Sequence, residues 1–339
     1  MRAFATPYGV DSRRLFFSEL AIRDTSGQAM GINVHGARAL CFARKLGADF
    51  EATATIGRQR LSLPRRGLSE VLSSFGYEAD ESQIDAIFAK TDGYAETLLA
   101  HLGATNDHSF DVSPYEGATH LHDMNNEIPN EYKEQYSVVL DGGSLEHVFN
   151  FPVAIKNCME MVKVGGHYIS ILPANNFFGH GFYQFSPELF FSVFCADNGF
   201  VVEAMIAFVD RPNHLWHSAT PNATWYSVKN PIDVGERVTL TNGDPISLII
   251  IAKKTARTAI FAITPQQSDY AARWRAKASE APSMPRRRPF LIRLAKKLIP
   301  STVRRTIRKA IERKPKPVAE GFDRRFFQPM DPRTSGVRY

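Results

Sequence analysis

Acidic residues and glycines follow several short apolar runs of this sequence, and these residues are well suited to contact a polar ligand. Asp111, Asp123 and Asp141 each come directly after such a run, and Gly142 and Gly143 follow Asp141. Carboxylates accept hydrogen bonds from ligand hydroxyls, and glycines let a ligand approach the backbone closely. Asp111 and Asp123 could instead only form turns, since both are common turn residues.

Two histidines are candidates for proton transfer, because an imidazole titrates near neutral pH. His147 follows Glu146, and His180 lies in an aromatic-rich segment, 175–185. This content suits a sugar or another polyhydroxylated acceptor, although the rings could simply pack on the sheet. Glu146 and His147 could likewise only cap the helix that follows. His120 and His122 share a strand face, but no third ligand is placed by the sequence, so we predict no metal site.

The elements that must position these residues alternate between strands and helices. Strands are predicted at 52–56, 117–123, 137–141, 168–173, 201–208 and 246–253, and 109–112 is too short to identify from its pattern. Helices are predicted at 29–46, 68–75, 81–102, 151–164 and 186–198, with Gly165 and Gly166 ending the fourth. This alternation predicts an α/β fold with a doubly wound, mostly parallel sheet and helices on both faces. In such sheets, ligands bind at the carboxyl ends of the strands.

The predicted organisation is one large α/β domain with extensions at both ends. Residues 1–48 form a helical lead-in, and 49–260 form the domain, with a helical insertion at 58–108 and a long loop at 209–244. A linker at 261–285, basic amphipathic helices at 286–316 and a tail at 317–339 complete the chain.

The stretch QYSVVLDGGSLEHVFNFPVAIKNCMEMVKVGGHYISILP, with the later pair VVEAMIAF and PISLIIIAKK, resembles class I SAM-dependent methyltransferases. The resemblance implies a seven-stranded Rossmann-like sheet with an antiparallel last strand, and S-adenosylmethionine (SAM) as cofactor. It also implies roles for the residues after the strands: Asp111 would hold the ribose, Asp123 and Met124 would lie near the adenine, and Gly57 and 141–143 would line the cofactor. His147 or His180 would be the base for an oxygen acceptor, for which a glycan or lipid-linked sugar is the expectation.

One departure from the family concerns the loop after the first strand. The family has a glycine-rich GxGxG loop there, whereas this chain has Gly57 followed by Arg58, Gln59 and Arg60. A non-catalytic binding or scaffold protein with the same fold is therefore the alternative. A nicotinamide-dependent oxidoreductase is disfavoured, because the chain has no GxGxxG turn and no Tyr-x-x-x-Lys pair after the fourth strand.

The basic charge of the chain is concentrated near its C-terminal end. Residues 286–316 hold thirteen Lys/Arg and one Glu, a net charge of +12, while the whole chain carries +6. Apolar stripes beside this charge predict attachment to an anionic membrane surface. A solvated or partner-binding helix pair is an alternative, and nucleic-acid binding is disfavoured because the remainder is acidic. The three unpaired cysteines and the absence of a signal sequence predict a cytoplasmic protein, held peripherally at the inner membrane face.

Overall fold

The computed structural model of the chain describes residues 31–89, 92–210, 224–270, 274 and 321–335. Nine strands in these residues form a single sheet. They are β1 (Ala52–Ile56), β2 (Asn106–Asp111), β3 (His120–Leu121), β4 (Tyr136–Asp141), β5 (Val162–Asn175), β6 (Phe200–Val209), β7 (Trp225–Val228), β8 (Ile246–Lys254) and β9 (Phe327–Met330).

The strand order is β3-β2-β1-β4-β5-β8-β6-β7-β9. The five strands from β3 to β5 are parallel to one another, and β8 is antiparallel to both of its neighbours, β5 and β6. The strand order reverses between β1 and β4. After β1 the chain adds β2 and β3 on one side of the sheet, and after β4 it adds β5 on the other side. The predicted doubly wound, mostly parallel sheet is therefore confirmed, with its antiparallel strand between β5 and β6.

Seven α-helices among the described residues cover the sheet. They are α1 (Val34–Lys45), α2 (Arg65–Ser74), α3 (Glu81–Ala89), α4 (Glu96–His101), α5 (Phe151–Met161), α6 (Pro187–Val193) and α7 (Pro231–Val234). The first four contribute to one apolar core, and α5 and α6 contribute to the core on the opposite face. The region 58–108 thus contains three helices of the crossover between β1 and β2.

Alternating side chains of the central strands enter the two cores, as the two-residue period of a strand requires. Val138 and Leu140 of β4 face the α1–α4 side, while Val139 faces α5. In β8, Ile249 and Ile251 face the first side and Ile250 the second. Both faces of the central strands are buried, which explains why these strands appear in the sequence as continuous apolar runs.

The predicted helix 151–164 was wrong at its C-terminal end. Helix α5 ends at Met161, and β5 begins at Val162. Val162 pairs with Tyr136 of β4, and an irregularity in the register follows before Val138 pairs with His167. The glycine pair at 165 and 166 therefore lies inside a bulged strand and does not end the helix.

The predicted count of seven strands was also wrong, because the sheet continues past β6. Strand β7 lies within 209–244, which we predicted to be a loop, and β9 lies within 317–339, which we predicted to be a tail. β7 is antiparallel to β6, and β9 is antiparallel to β7, with Trp225 opposite Met330. Both strands have only four residues, so neither has a long apolar run to reveal it, and β9 is the edge strand on this side of the sheet.

The basic segment 286–316 lies outside the described residues, so its predicted amphipathic helices remain a prediction. In the part of the chain that the structure describes, we find no helix with the length and apolar character needed to cross a membrane.

A buried histidine links α1 to the added strands. The side chain of His35 is fully buried, stacks on Phe208 with ring centroids 3.9 Å apart, and accepts a hydrogen bond from the Trp225 indole at 2.9 Å. Arg38 lies 4.2 Å above the same indole. Burial, with a smaller contribution from the charge of Arg38, lowers the pKa of His35 to about 3. The imidazole is therefore neutral in the folded protein at neutral pH.

Because the pKa of His35 is lowered, we predict that this residue reduces the free energy of unfolding in mild acid. An unfolded histidine takes up a proton below about pH 6.5, whereas folded His35 does not, so the stability from this group is complete above about pH 6.5 and falls as the pH decreases towards 3. The loss between pH 6.5 and 5 is about 2 kcal/mol. In urea unfolding at both pH values, His35→Asn should lose less stability on acidification than the wild type by this amount.

The control is His122→Asn, which removes a histidine from a loop away from this core. An acid-induced loss of stability as large in His35→Asn as in the wild type would contradict the assignment to His35.

Candidate functional site

The carboxyl ends of β1, β2 and β4 lie side by side at the point where the strand order reverses. Ile56 of β1 is in register with Phe110 of β2 and with Asp141 of β4, and the Gly57 amide donates to the Phe110 carbonyl at 2.7 Å. The residues that follow each of these strands therefore meet at one edge of the sheet. This places Gly57, Asp111, and the glycines after Asp141 around one location.

Asp111 and Asp123, which we predicted to contact the ribose and the adenine of the cofactor, both form turns at this edge. The Asp111 carboxylate accepts a hydrogen bond from the Ser113 amide at 3.0 Å. Asp123 likewise accepts from the Asn125 amide, at 2.9 Å, and this bond lowers the pKa of its carboxyl. The turn-forming roles that the sequence left open are therefore present for both residues. The Met124 side chain is buried in the core beside α5.

Gln59 fills the space between β1 and β4 at the reversal point. Its side chain is buried, and its amide donates to the Ile56 carbonyl at 2.7 Å. Its amide oxygen lies against Gly142, so closely that a Cβ at position 142 would overlap it. Gln59 stands where the family that the sequence resembles has a small residue. Its side chain covers the backbone of Gly142, in the loop after β4.

Arg58 and Arg60 tie the same loop to two neighbouring segments. The Arg58 guanidinium donates to Glu96 at 2.6 Å and to the Glu116 carbonyl at 2.8 Å, and lies 4.0 Å from the centre of the Tyr94 ring. Arg60 donates to the Tyr94 hydroxyl at 2.7 Å and to the Glu116 carboxylate at 3.3 Å. We call these five residues the arginine bridge. It joins the loop after β1 to the start of α4 and to the loop after β2.

Two carboxylates are buried together after β4. Asp141 is fully buried; one of its oxygens accepts from the Ser144 amide at 2.8 Å, and the other has no hydrogen-bond partner in the described part of the chain. Glu146 is also fully buried, in a short 3-10 helix over Leu145–His147. Burial and the negative charge of Glu146 raise the pKa of Asp141 well above its usual range. The raised pKa favours the protonated form of the Asp141 carboxyl beside Glu146.

The two predicted bases lie together beside Glu146. The Nε2 atoms of His180 and His147 are 3.4 and 3.9 Å from the same Glu146 oxygen, and the two ring centroids are 5.1 Å apart. Burial lowers the pKa of His147; the Glu146 charge opposes this, and His180 adds to it. His147 is therefore neutral at pH 7 and able to accept a proton. The N-cap residue of α5 is Asn150, so the helix-capping alternative for Glu146 and His147 is not what the structure shows.

A close backbone contact holds the loop of His180 against Glu146. The Phe182 amide donates to the Glu146 carbonyl at 2.7 Å. Gly181 has a φ of +71°, and a Cβ there would lie 2.8 Å from the same carbonyl oxygen. Only glycine combines this φ with this approach at low cost. Gly181 therefore determines the position of His180 relative to Glu146.

Exposed aromatic rings surround the histidine pair on the solvent side. Phe149 and Phe182 are mostly exposed and pack edge to face, with centroids 5.7 Å apart, and Phe178 is fully exposed. The neighbouring Tyr183 hydroxyl donates to the Phe149 carbonyl at 2.6 Å. Phe177 and Phe185 are buried, so part of the aromatic segment packs on the protein. The exposed rings of Phe149, Phe178 and Phe182 form an accessible apolar rim.

Sequence reasoning identified His147 and His180 separately and missed their association with Glu146. The two histidines are 33 positions apart, and no periodic pattern relates them. Gly179 and Gly181 on either side of His180 were a signal that this loop makes a tight approach. The partner of that approach is visible only in the structure. The partners of Arg58 and Arg60 could not be deduced either, because Tyr94, Glu96 and Glu116 come from two separate segments.

No protein-family model matches the chain, and no curated protein matches it. Solved structures that match include a SAM-dependent methyltransferase from Thermotoga maritima, described as a possible histamine N-methyltransferase, at 12% identity over 65% of this chain and 91% of that chain, with a TM-score of 0.35. Another is the Burkholderia thailandensis 1,6-didemethyltoxoflavin-N1-methyltransferase with bound S-adenosylhomocysteine (11% identity, 66% and 78% coverage, TM-score 0.35).

The matches also include a different kind of enzyme. A branched-chain polyamine synthase mutein from Thermus thermophilus, with bound 5'-methylthioadenosine, is 12% identical over 74% of this chain and 64% of that chain, with a TM-score of 0.35. Similarity at this level does not assign an activity. An activity of this chain depends on the residues at the sheet edge, not on the fold alone.

Proposed function

We propose that the protein is a SAM-dependent methyltransferase that acts on an oxygen of a hydroxylated acceptor. The observation that carries the proposal is the group of acidic residues and glycines after β1, β2, β3 and β4, at the reversal point of the sheet. The antiparallel β8 between β5 and β6 agrees with the sheet that the sequence resemblance implies. The residues that would hold the cofactor are Gly57, Asp111, Asp123, Met124 and the segment 141–143.

The fit of these residues to SAM differs between the two sides of the site. Asp111 and Asp123 keep carboxylate oxygens at the sheet edge, where hydroxyl and amine groups of an adenosine could donate to them. On the other side, Gln59 lies against Gly142 and must turn away. Turning it breaks its bond to Ile56, which costs about 1 kcal/mol and weakens binding roughly fivefold. The site is therefore compatible with the cofactor at moderate affinity.

The chain's own residues would position the acceptor and take its proton. SAM supplies a methyl group already activated on a sulfonium. The half-exposed imidazole of neutral His147 accepts the proton of the acceptor hydroxyl, and Glu146, 3.9 Å from its Nε2, stabilises the imidazolium that results. His180 is the second candidate for the same role. The exposed rings of Phe149, Phe178 and Phe182 offer apolar faces on which a glycan or lipid-linked sugar could stack.

A non-catalytic scaffold is the second candidate function, and the position of Gln59 favours it. A side chain that permanently covers Gly142 would leave the sheet edge closed to a cofactor. The arginine bridge would then serve only to hold three segments together. The two candidates differ in whether the resting protein binds a SAM-like ligand at all.

Cofactor binding is tested by calorimetric titration of the full-length protein with S-adenosylhomocysteine. We expect a micromolar Kd, and a loss of about 10- to 100-fold in Asp111→Asn, because hydrogen bonds to a charged acceptor contribute about 1.5 to 3 kcal/mol. Asn keeps an oxygen for the Ser113 amide, so the turn is retained. The control is Glu131→Gln, an exposed acid remote from the edge.

Two outcomes would contradict the methyltransferase assignment. One is no binding by the wild type at millimolar ligand. The other is equal affinity in Asp111→Asn and the wild type. Binding that appears only in Gln59→Gly would show that this side chain closes the site, in favour of the scaffold.

The acceptor is tested by transfer of an isotope-labelled methyl group from SAM to sugars, glycolipids and amines. We expect label in hydroxylated acceptors, and a reduced yield in Phe182→Ser, which removes one exposed ring of the rim. Ile263→Ser, which removes an exposed apolar side chain elsewhere, is the control. Label found only in amines would contradict the oxygen acceptor.

We also propose that the basic segment 286–316 attaches the enzyme to an anionic membrane surface; the support is its charge of +12 and its apolar stripes. Co-sedimentation should show binding to vesicles with anionic lipid that is lost at high salt, because screening weakens charge attraction. Replacement of Arg304, Arg305, Arg308 and Lys309 by Gln should reduce it. Equal binding to zwitterionic vesicles would contradict an electrostatic attachment.

A further inference from the structure

Glu146 is a buried carboxylate that accepts no hydrogen bond from the described residues, although two imidazoles lie close to it. Its side chain is about 1% exposed, and neither carboxylate oxygen has a hydrogen-bond donor in the described residues. Buried carboxylates in folded proteins are paired, hydrogen-bonded or bound to metals, since a bare buried charge is costly. The nearby Asp141 adds a second buried carboxyl group rather than a compensating cation.

Two imidazole nitrogens lie where they could share an ion with this carboxylate. One ligand atom from each of Glu146, His147 and His180 lies within 4.8 Å of the others. In zinc sites, metal–ligand bonds of about 2.0 to 2.2 Å place two ligands at the tetrahedral angle about 3.3 to 3.6 Å apart. The His180 separation of 3.4 Å agrees with this, and the 3.9 Å of His147 closes with a small rotation of its half-exposed ring.

We propose that Glu146, His147 and His180 bind one divalent transition-metal ion, with Zn²⁺ the best match to two imidazoles and one carboxylate. Three protein ligands leave at least one coordination position open, which is the arrangement of reactive rather than structural zinc sites. His147 is 47% exposed, so the ligand group is accessible from solvent. An acceptor oxygen could bind there.

The surrounding chain holds the three ligands in this arrangement. Glu146 and His147 are adjacent in the 3-10 helix after β4, and the loop of His180 is fixed by Gly181 against the Glu146 carbonyl. A second carboxyl group, that of Asp141, is buried beside Glu146, and burial together with the Glu146 charge raises its pKa.

The metal site does not depend on the proposed methyltransferase activity, since binding is measured without SAM. It does alter one assignment in that proposal. With a metal bound, His147 and His180 are ligands and neither is a free base. The metal would then lower the pKa of a bound acceptor hydroxyl itself.

The test is a titration of Zn²⁺ into chelator-treated, full-length protein in competition with a chromophoric chelator. We expect one tightly bound equivalent, with a Kd in the micromolar range or below. Glu146→Gln and His180→Ala should each weaken binding at least tenfold. Bound Co²⁺ should give a visible absorption spectrum that both variants lose.

Three further variants separate ligation from general damage. His120→Asn disrupts another close imidazole pair, with His108 at 4.4 Å between centroids, and should leave zinc affinity unchanged. Gly181→Ala should weaken binding by displacing Glu146, whereas Gly179→Ala, whose Cβ would meet nothing within 4 Å, should not.

Absence of a stoichiometric site, or unchanged zinc affinity in Glu146→Gln and His180→Ala, would overturn the proposal. Titration of the same preparations with S-adenosylhomocysteine keeps the two proposals separate. Zinc binding without nucleoside binding would support the metal site and contradict the methyltransferase. The reverse result would contradict the metal site alone.

Discussion

The parallel pairing of β4 with β1 and β5 determines where the polar groups of the site lie. Both faces of these strands are buried, so a shift of one residue would turn every apolar side chain of β4 to the wrong core. Because the register is fixed, the chain after Asp141 must leave the sheet beside Gly57 and the end of β2. The buried carboxylates of Asp141 and Glu146 are thus placed by the packing of distant apolar side chains. The apolar packing of the whole sheet offsets the unfavourable free energy of burying these two carboxyl groups.

Two loops pack against the segment that follows β4, and each makes a different contact with it. The loop after β1 covers it with Gln59 and is held by the arginine bridge. The loop after β5 approaches it through Gly181 and brings His180 beside Glu146. In the first arrangement the Gln59 side chain covers Gly142, and in the second His180 and the half-exposed His147 lie beside the buried Glu146. The cofactor binding proposed above requires Gln59 to turn away from Gly142.

The central part of the fold was predictable from the sequence, and its margins were not. Strands β1, β4, β6 and β8 were identified because their apolar runs are buried on both faces. The start of β5 was missed because its first residues share the helical pattern of α5, and only the pairing of Val162 with Tyr136 decides between them. β7 and β9 have four residues each, which is too short for the sequence to show a recognisable apolar run. At the site, the residue types were visible, but the contact that brings His180 to Glu146 depends on a backbone approach over 34 positions.

The strand β9 also changes the nature of the basic segment that precedes it. Gly321 pairs with Thr241, and β9 completes the sheet beside β7, so the chain returns to the domain after residue 320. The basic residues 286–316 therefore lie, in chain order, between two parts of the same domain and not after its last strand. A surface that held this segment would be connected to the domain through the chain on both sides of it, which restricts how the domain can rotate above that surface.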